Sequence, residues 1–340
     1  MNIGRIRECL DKITETRVIG KDFSIGGTDF HFVGFYRTES ELHAVVLSYN
    51  EELCERKEQA ETDALNKFDL DRAYQPTVRE SERMELMIHE PVLHIKSLNF
   101  AGTVLESRES HMTLLDNGIE ESIILLSEFV RAGWKSERFE CISFYNLYVK
   151  DIIFTGEFDS IPDISENITL SFALNSVRRL AEIPVLLEIG AEEKEIELPS
   201  GDKIYLRETK LMDMYEEMEQ LFCSERFREL CPPEEIEKQR KNFIENFSPR
   251  CPKGKYFIGV EYEAAENISV DIKPKSVLDA PPVTKEGCMA FIIRSDKAPL
   301  REKMKVKTAV IDIPFDGSTK TVDAEIFTFS EMLQPDDITI

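Results

Sequence analysis

The first part of the chain alternates apolar and polar residues in a pattern that predicts a helix, an antiparallel meander and a second helix. Apolar residues up to Ile13 recur at three- and four-residue steps, which is typical of one face of an amphipathic helix. Gly26 and Gly27 separate two strand-like runs, and both glycines can take the positive φ that a two-residue hairpin turn requires. The predicted elements are a helix ending near Thr16, strands at 18–25, 28–36 and 42–49, and a helix at 51–68.

The middle of the chain contains two polar stretches with apolar segments between them. The stretch 69–81 predicts an exposed connection, after which strands resume at Met84. Residues 118–130 form the most apolar helical pattern of the sequence, and 139–154 is a strand-like run rich in aromatic and β-branched residues. A second polar stretch at 155–167 contains glycine, proline and several acidic residues, and it predicts the boundary between two domains.

Strand patterns dominate the second half of the chain and are interrupted by a pair of helices. Residues 211–222 and 236–247 have helical apolar spacing, and Pro233 suits the first turn of the second helix. Asp316 and Gly317 favour a type I′ hairpin turn between the last two strands. The predicted strands are 168–174, 183–189, 194–199, 203–208, 256–263, 268–273, 289–294, 306–313 and 322–329.

Together these patterns predict an α+β protein of two domains, each built on antiparallel sheets with flanking helices. A length of 340 residues favours two domains on size alone. We expect an N-terminal α+β domain at 1–155 and a strand-rich C-terminal domain at 156–340, with its helices near 210–247.

Composition and charge exclude several classes of protein. The 42 basic and 65 acidic residues give a net charge of −23, which disfavours wrapping of a nucleic acid because phosphates need cations opposite them. The first residues lack the apolar run of a secretory signal, and no apolar stretch reaches the roughly 20 residues of a membrane span. The seven cysteines are scattered without a C-x-x-C motif. We therefore expect a cytoplasmic protein with reduced thiols and no membrane association.

One row of side chains in the predicted meander has the composition of a hydrolase triad. The glycine turn places His31 opposite Asp22, and a tight turn at 39–40 places Ser48 on the other side of His31. Catalysis by this row requires His31 to take the Ser48 proton and a further pair of donors to hold an oxyanion. The sequence supplies no such donors, and the row lies on what the pattern predicts to be the solvent face. We therefore assign no catalytic residue.

Other groups of potential ligands are interpreted as structural or solvent-exposed. His89 and His94 are five residues apart on a predicted strand, which sends their side chains to opposite faces. Asp163 followed by the string 192–194 has the order of acids and lysine found at metal-dependent nuclease sites, but the string falls at a predicted turn. Neither a P-loop nor a dinucleotide-binding glycine motif is present. The sequence predicts no metal site and no cofactor.

One window of the chain has a charge opposite to that of the whole. Between residues 238 and 255 the sequence has six cations and a single acid, Glu245. Phosphate or an acidic partner is a candidate ligand for such a surface, and the alternative is a solvated helix face whose cations offset the nearby acids. The predicted binding residues are Lys238, Arg240, Lys241, Arg250, Lys253 and Lys255.

These observations favour a non-catalytic interaction or adaptor protein that binds another protein through charged surfaces. Two alternatives remain open. One is a hydrolase with dispersed active-site residues, such as a metal-dependent nuclease or phosphodiesterase, since dispersed residues leave no sequence motif. The other is a nucleic-acid-associated module that uses the basic window.

Overall fold

The computed structural model is of mixed α+β structure, which confirms the predicted class. The chain divides into two compact units. The first unit comprises Met1–Arg72, Met87–Asn175 and Leu333–Ile340, and the second comprises Ala73–Leu86 and Ser176–Met332. The residues that the structure describes are 2–25, 27–70, 74–88, 94–100, 102–115, 120–164, 167–190, 193–283 and 297–340.

The helices and strands have the following bounds. The helices are α1 Ile3–Lys12, α2 Glu51–Leu70, α3 Val78–Ile88, α4 Glu120–Arg131, α5 Met214–Cys223, α6 Glu225–Leu230, α7 Pro233–Phe247 and α8 Lys275–Leu278, with a 3-10 turn at Phe144–Asn146. The strands are β1 Ile13–Ile25, β2 Thr28–Thr38, β3 Glu41–Tyr49, β4 Ile95–Phe100, β5 Thr103–Leu114, β6 Tyr148–Phe154, β7 Thr169–Phe172, β8 Asn175–Glu188, β9 Lys194–Glu197, β10 Lys203–Met212, β11 Lys255–Ala265, β12 Ile268–Pro274, β13 Met304–Asp316, β14 Thr321–Leu333 and β15 Ile338–Thr339.

The first unit is built on one curled antiparallel sheet with strand order β1-β2-β3-β6-β5-β4-β7-β15. Central strand β3 is buried on both faces, which explains its continuous apolar run. Its residues Leu42, Ala44 and Val46 join a core formed only by sheet and loop residues, whereas Val45 and Leu47 join a core that α4 covers. All five are at most 2% exposed. The face under α4 is called the helix-covered face below.

Two tight hairpins begin this sheet. Ile25 pairs with Thr28 across the first turn, which confirms the predicted glycine hairpin, and Gly27 has a φ of +82°. Thr38 pairs with Glu41 across the second turn, so this turn also has two residues. Strands β1, β2 and β3 therefore form the predicted meander.

A β-bulge interrupts the pairing of β2 with β3. The register shifts by one residue between Phe32 and Gly34. Glycine is required there by close approach of the neighbouring strand, because a Cβ at Gly34 would lie 2.1 Å from the backbone oxygen of Arg17 and 2.9 Å from the Phe129 ring. The bulge changes which side chains of β3 lie opposite the N-terminal half of β2.

The second unit contains a four-stranded sheet, β13-β11-β10-β9, and a three-stranded sheet, β12-β14-β8. Both sheets contribute to one hydrophobic core, with Ile204 and Ile258 from the first and Ile272 and Ile326 from the second. Each of these side chains is at most 2% exposed. This is the packing of two antiparallel sheets face to face.

The prediction that strands resume at Met84 is wrong, because this residue lies in helix α3. The helix begins with a capping box in which the Glu80 carboxylate accepts a hydrogen bond from the Thr77 amide at 3.0 Å and the Thr77 hydroxyl accepts one from the Glu80 amide at 3.2 Å. The sequence Thr77-Val78-Arg79-Glu80 carried this signal. Within the second unit, the Arg79 guanidinium also binds the Glu325 carboxylate of β14 at 2.6 Å.

Two further predictions in the second unit are corrected. Leu211 belongs to β10 and not to a helix, because Asp213 caps the N-terminus of α5 and stops the strand before it. Asp316 and Gly317 do not form a type I′ hairpin, since β13 and β14 belong to different sheets and Gly317 lacks positive φ. The predicted strand at 289–294 lies outside the described residues.

Candidate functional site

Helices α5, α6 and α7 are inserted between two strands that pair directly. Met212 of β10 lies opposite Phe257 of β11, so residues 213–254 replace the roughly two to five residues of an ordinary hairpin loop. The helices of the insert pack on the sheet: the Phe243 and Phe247 rings stack at 4.9 Å between centroids, and Phe247 lies 5.3 Å from the Phe257 ring of β11. We call residues 213–254 the helical insert; it contains five of the predicted cations, and Lys255 follows directly.

Four of the six predicted cations are in contact with the second unit's own residues or lie in its turns. The guanidinium of Arg240 binds the carboxylates of Glu237 at 2.7 Å and Glu219 at 2.9 Å. The ammonium of Lys255 binds Asp316 at 2.6 Å, and that of Lys253 lies 5.8 Å from the centroid of the Tyr215 ring. Arg250 is half-buried in the turn after α7.

The other two cations, Lys238 and Lys241, form an exposed edge of α7. Their side chains are 68% and 75% exposed, and their contacts with Glu235 and Glu245 are long, at 3.5 and 3.8 Å. Ion pairs of this kind contribute about 0–1 kcal/mol and exchange readily with other partners. Ile244, one turn from Lys241, is an exposed apolar residue.

His31 is buried, which corrects the expectation that its row faces solvent. Asp22 lies opposite His31 as predicted, but the bulge in β2 places Leu47 and not Ser48 on its other side. The His31 side chain is 2% exposed and packs against Trp134, a residue from outside the meander. The Asp22, His31, Ser48 row therefore does not form.

Both ring nitrogens of His31 have fixed partners. Nδ1 lies 2.6 Å from the Asp22 carboxylate, to which it donates, and Nε2 accepts a hydrogen bond from the Trp134 indole at 2.7 Å. Because the indole is a donor only, it holds Nε2 as an acceptor and fixes the neutral tautomer. This histidine has a structural role and no nitrogen left for a substrate.

His43 lies on the same helix-covered face and forms a second histidine–carboxylate pair. Its Nδ1 is 3.2 Å from the Asp151 carboxylate of β6, and its Nε2 is 3.3 Å from the Thr38 hydroxyl. Since a carboxylate only accepts, Nδ1 donates to Asp151 and Nε2 is left to accept the Thr38 proton. A hydroxyl, an imidazole and a carboxylate are thus aligned in the order that general-base activation needs.

Two neighbouring groups hold this cluster in place. The Tyr36 hydroxyl donates to Asp151 at 2.8 Å, and its ring stacks on His43 with centroids 4.3 Å apart. Burial and the Asp151 charge raise the pKa of Tyr36 far above its ordinary value, so the phenol remains a donor. Glu41 lies 3.8 Å from His43 Nε2 and binds Arg108 at 2.6 Å, and this hydrogen bond lowers the pKa of Glu41.

The cluster forms part of the wall of a cleft of about 330 Å³. Helix α1 contributes Arg5, Cys9 and Lys12, and the sheet contributes Thr38 and Asp151. Apolar side chains of β1, α4 and β6 and polar side chains of β5 and α4 also line it. This volume is within the range of pockets that hold small molecules, roughly 300–1,000 Å³. We call it the α1–α4 cleft.

The remaining sequence candidates do not assemble into a site in the described part of the chain. Asp163 binds Arg17 at 3.2 Å, and Glu193 pairs with Arg301. His94 is exposed, while His89 and Glu192 lie outside the described residues. No group of three or more histidine, cysteine or acidic side chains is arranged to hold a metal ion among the residues described. No described helix is long and apolar enough to cross a membrane.

The sequence contained part of the signal for the His43 cluster. With a two-residue turn at 39–40, the register places His43 opposite Tyr36, and Thr38 lies at the end of the same hairpin. Asp151 is more than one hundred residues away and reaches the cluster because β6 pairs with β3. No local pattern indicates that pairing.

Comparison with known proteins gave no match: no family model, no curated protein and no solved structure is similar to this chain. Function is therefore inferred from the side chains and their surroundings.

Proposed function

We propose that this chain is an interaction protein that binds an acidic protein partner through the helical insert. The observation that supports it is the insert itself, a segment of three helices placed where two directly paired strands need only a short turn. Long insertions are commonly functional, because the pairing of the strands does not require them. Lys238 and Lys241 are two strongly exposed cations of this insert and lie on its longest helix, α7.

The chemistry of this edge suits a charged partner. Lys238 and Lys241 lie on one side of α7, and Ile244 gives the same helix an exposed apolar contact. Protein interfaces combine an apolar centre with a polar rim, and rim charges act mainly on the rate of encounter. Arg240, by contrast, joins α7 to α5 through Glu219 and also lies 5.7 Å from the Phe222 ring, so it stabilises the insert.

The experiment compares the proteins captured from the native host by the wild type and by the double variant Lys238→Glu/Lys241→Glu. The matched control is Lys305→Glu/Lys320→Glu, which changes two exposed lysines of the same unit and gives the same net charge. We expect one captured protein to be lost with the first variant and kept with the control. Mass spectrometry identifies it, and its association rate is then measured at two salt concentrations.

The two lysines should affect the rate of association and not the stability of the protein. For the identified partner, the double variant Lys238→Glu/Lys241→Glu should associate more slowly and with a weaker dependence on salt. Its free energy of unfolding, measured by thermal denaturation, should stay within about 1 kcal/mol of the wild-type value. If the wild type and the reversal variant capture the same proteins at the same rates, the lysines only solvate the helix and the proposal fails.

A further inference from the structure

We propose that Thr38, His43 and Asp151 form a catalytic triad that hydrolyses small carboxylic esters in the α1–α4 cleft. This activity is separate from partner binding by the helical insert. It belongs to the first unit and uses none of the six cations at 238–255.

The geometry has the three contacts that a triad requires. Thr38 Oγ1 lies 3.3 Å from His43 Nε2, and His43 Nδ1 lies 3.2 and 3.3 Å from the two Asp151 oxygens. These distances are slightly long for hydrogen bonds. Thr38 and Asp151 both line the cleft, whereas His43 is 6% exposed beneath them. The base is thus shielded from water while the nucleophile reaches the cavity.

Two carboxylates lie beside the His43 ring, where positive charge arises during reaction. When Nε2 takes the Thr38 proton, the imidazolium lies between Asp151 and Glu41, whose oxygen is 3.8 Å from Nε2. Arg108 keeps Glu41 ionised through its hydrogen bond. Tyr36 acts as a positioning residue, because its hydroxyl fixes the orientation of the Asp151 carboxylate.

The cleft also indicates the class of substrate. Ile13, Leu125 and Val149 give it an apolar wall that suits the hydrocarbon part of a small ester. Lys12 lines the same cleft and has no ion pair in the described part of the chain, so its ammonium is available to an oxyanion. Arg5, in contrast, is paired with Glu8 and Glu121.

The reaction balances without a cofactor. Thr38 Oγ1 gives its proton to His43 Nε2 and bonds to the ester carbonyl carbon; the bond to the alcohol oxygen then breaks, and that oxygen takes the proton from Nε2. In the second half, water gives a proton to Nε2 and its oxygen attacks the acyl carbon. Thr38 Oγ1 leaves and recovers the proton, so ester and water become acid and alcohol.

The test uses the full chain with p-nitrophenyl acetate and p-nitrophenyl butyrate as probes. We expect an initial burst, acylation of Thr38 detectable by peptide mass spectrometry, and a pH dependence of the rate that His43→Gln changes. Thr38→Val and His43→Gln should lower the rate on the order of 10²–10⁴-fold, and Thr38→Ser should restore it. His94→Gln, an exposed histidine of the same unit, is the matched control and should leave the rate unchanged.

Three results would overturn the proposal. The first is a wild-type rate equal to that of Thr38→Val, which is near-isosteric and should fold. The second is an acyl group found on Cys9 or Lys12 and not on Thr38, since both line the cleft. The third is a pH profile that is the same in His43→Gln as in the wild type. Circular dichroism of every variant shows whether a lost rate reflects lost structure.

Discussion

His31 and His43 lie on neighbouring strands and on the same helix-covered face, and each has a carboxylate at Nδ1. They differ in what occupies Nε2. The Trp134 indole donates to Nε2 of His31, whereas the Thr38 hydroxyl, on the wall of a cleft, lies beside Nε2 of His43. A donor-only group fixes the first ring as an acceptor, and a hydroxyl leaves the second ring able to take a proton. The group beside Nε2, and not the carboxylate at Nδ1, therefore determines which of the two histidines is able to act as a general base.

The largest expected effect concerns the bulge that separates these two environments. Gly34→Ala would force a Cβ to within 2.1 Å of the Arg17 backbone oxygen, so β1 or β2 would have to move. Such overpacking in a sheet interior should lower the free energy of unfolding by roughly 3 kcal/mol. Urea denaturation followed by circular dichroism measures it. A variant as stable as the wild type would contradict the close contact between β1 and β2.

Much of this region is predictable from the sequence, and the rest is not for a physical reason. The Gly26-Gly27 turn and the pairing of His31 with Asp22 follow from local turn chemistry and alternation. The bulge at Gly34 depends on how closely β1 approaches, which no local pattern records. Because of this bulge, Leu47 and not Ser48 lies opposite His31, and the expected triad does not form.

Long-range contacts account for the other differences. Trp134, which covers His31, and Asp151, which completes the His43 cluster, both come from segments about one hundred residues away. A period of two predicts which face a residue takes but not which distant segment will cover that face. The sequence therefore predicted the strands of the His31 and His43 environments but neither of these partners.

A smaller loss of stability is expected from His31→Ala, which tests whether His31 has only a structural role. His31→Ala removes a side chain that is 2% exposed, and with it the acceptor of the half-buried Trp134 indole and the donor to the exposed Asp22. The cavity and the loss of the indole's acceptor should together cost about 2 kcal/mol of stability, whereas water can replace the donor to Asp22. Any activity of the protein should stay within a few-fold of the wild type at a temperature where the variant is folded.

The matched control is His94→Ala, which truncates an exposed histidine of the same unit and should cost less than about 0.5 kcal/mol. A thousandfold loss of activity in folded His31→Ala would be on the scale expected for removal of a catalytic base and would reverse the roles given to the two histidines.

A smaller effect is expected from Tyr36→Phe. The change removes the hydroxyl that donates to Asp151 at 2.8 Å but keeps the ring stacked on His43. Because Asp151 is partly exposed, water can replace the lost donor, and stability should fall by about 1 kcal/mol. Ester hydrolysis should fall less than in His43→Gln, since the phenol only orients the carboxylate. Equal losses in the two variants would show that Tyr36 acts directly in the reaction.

The smallest effect is a dependence of stability on pH that belongs to the His43 environment. Arg108 lowers the pKa of Glu41 below its ordinary value of 4.5 in the folded protein. The hydrogen bond between Arg108 and Glu41 therefore contributes its full stability at pH values above 4.5, the ordinary pKa of Glu41. As pH falls through the lowered pKa the folded carboxylate is protonated and the contribution is lost, because over this interval the unfolded chain binds more protons. Both side chains are more than a third exposed, so the contribution is small and decreases with added salt.

Arg108→Gln isolates this contribution. The variant should have a shallower fall in unfolding free energy than the wild type as the pH decreases below 4.5, and the two should converge at the acid end, where Glu41 is neutral in both. Urea unfolding at several pH values and at two salt concentrations measures the difference. The matched control is Arg131→Gln, which removes an exposed pair with Glu128 on α4, far along the chain from Glu41. If both variants change the slope equally, the effect comes from net charge, and Arg108 does not hold Glu41 ionised beside His43.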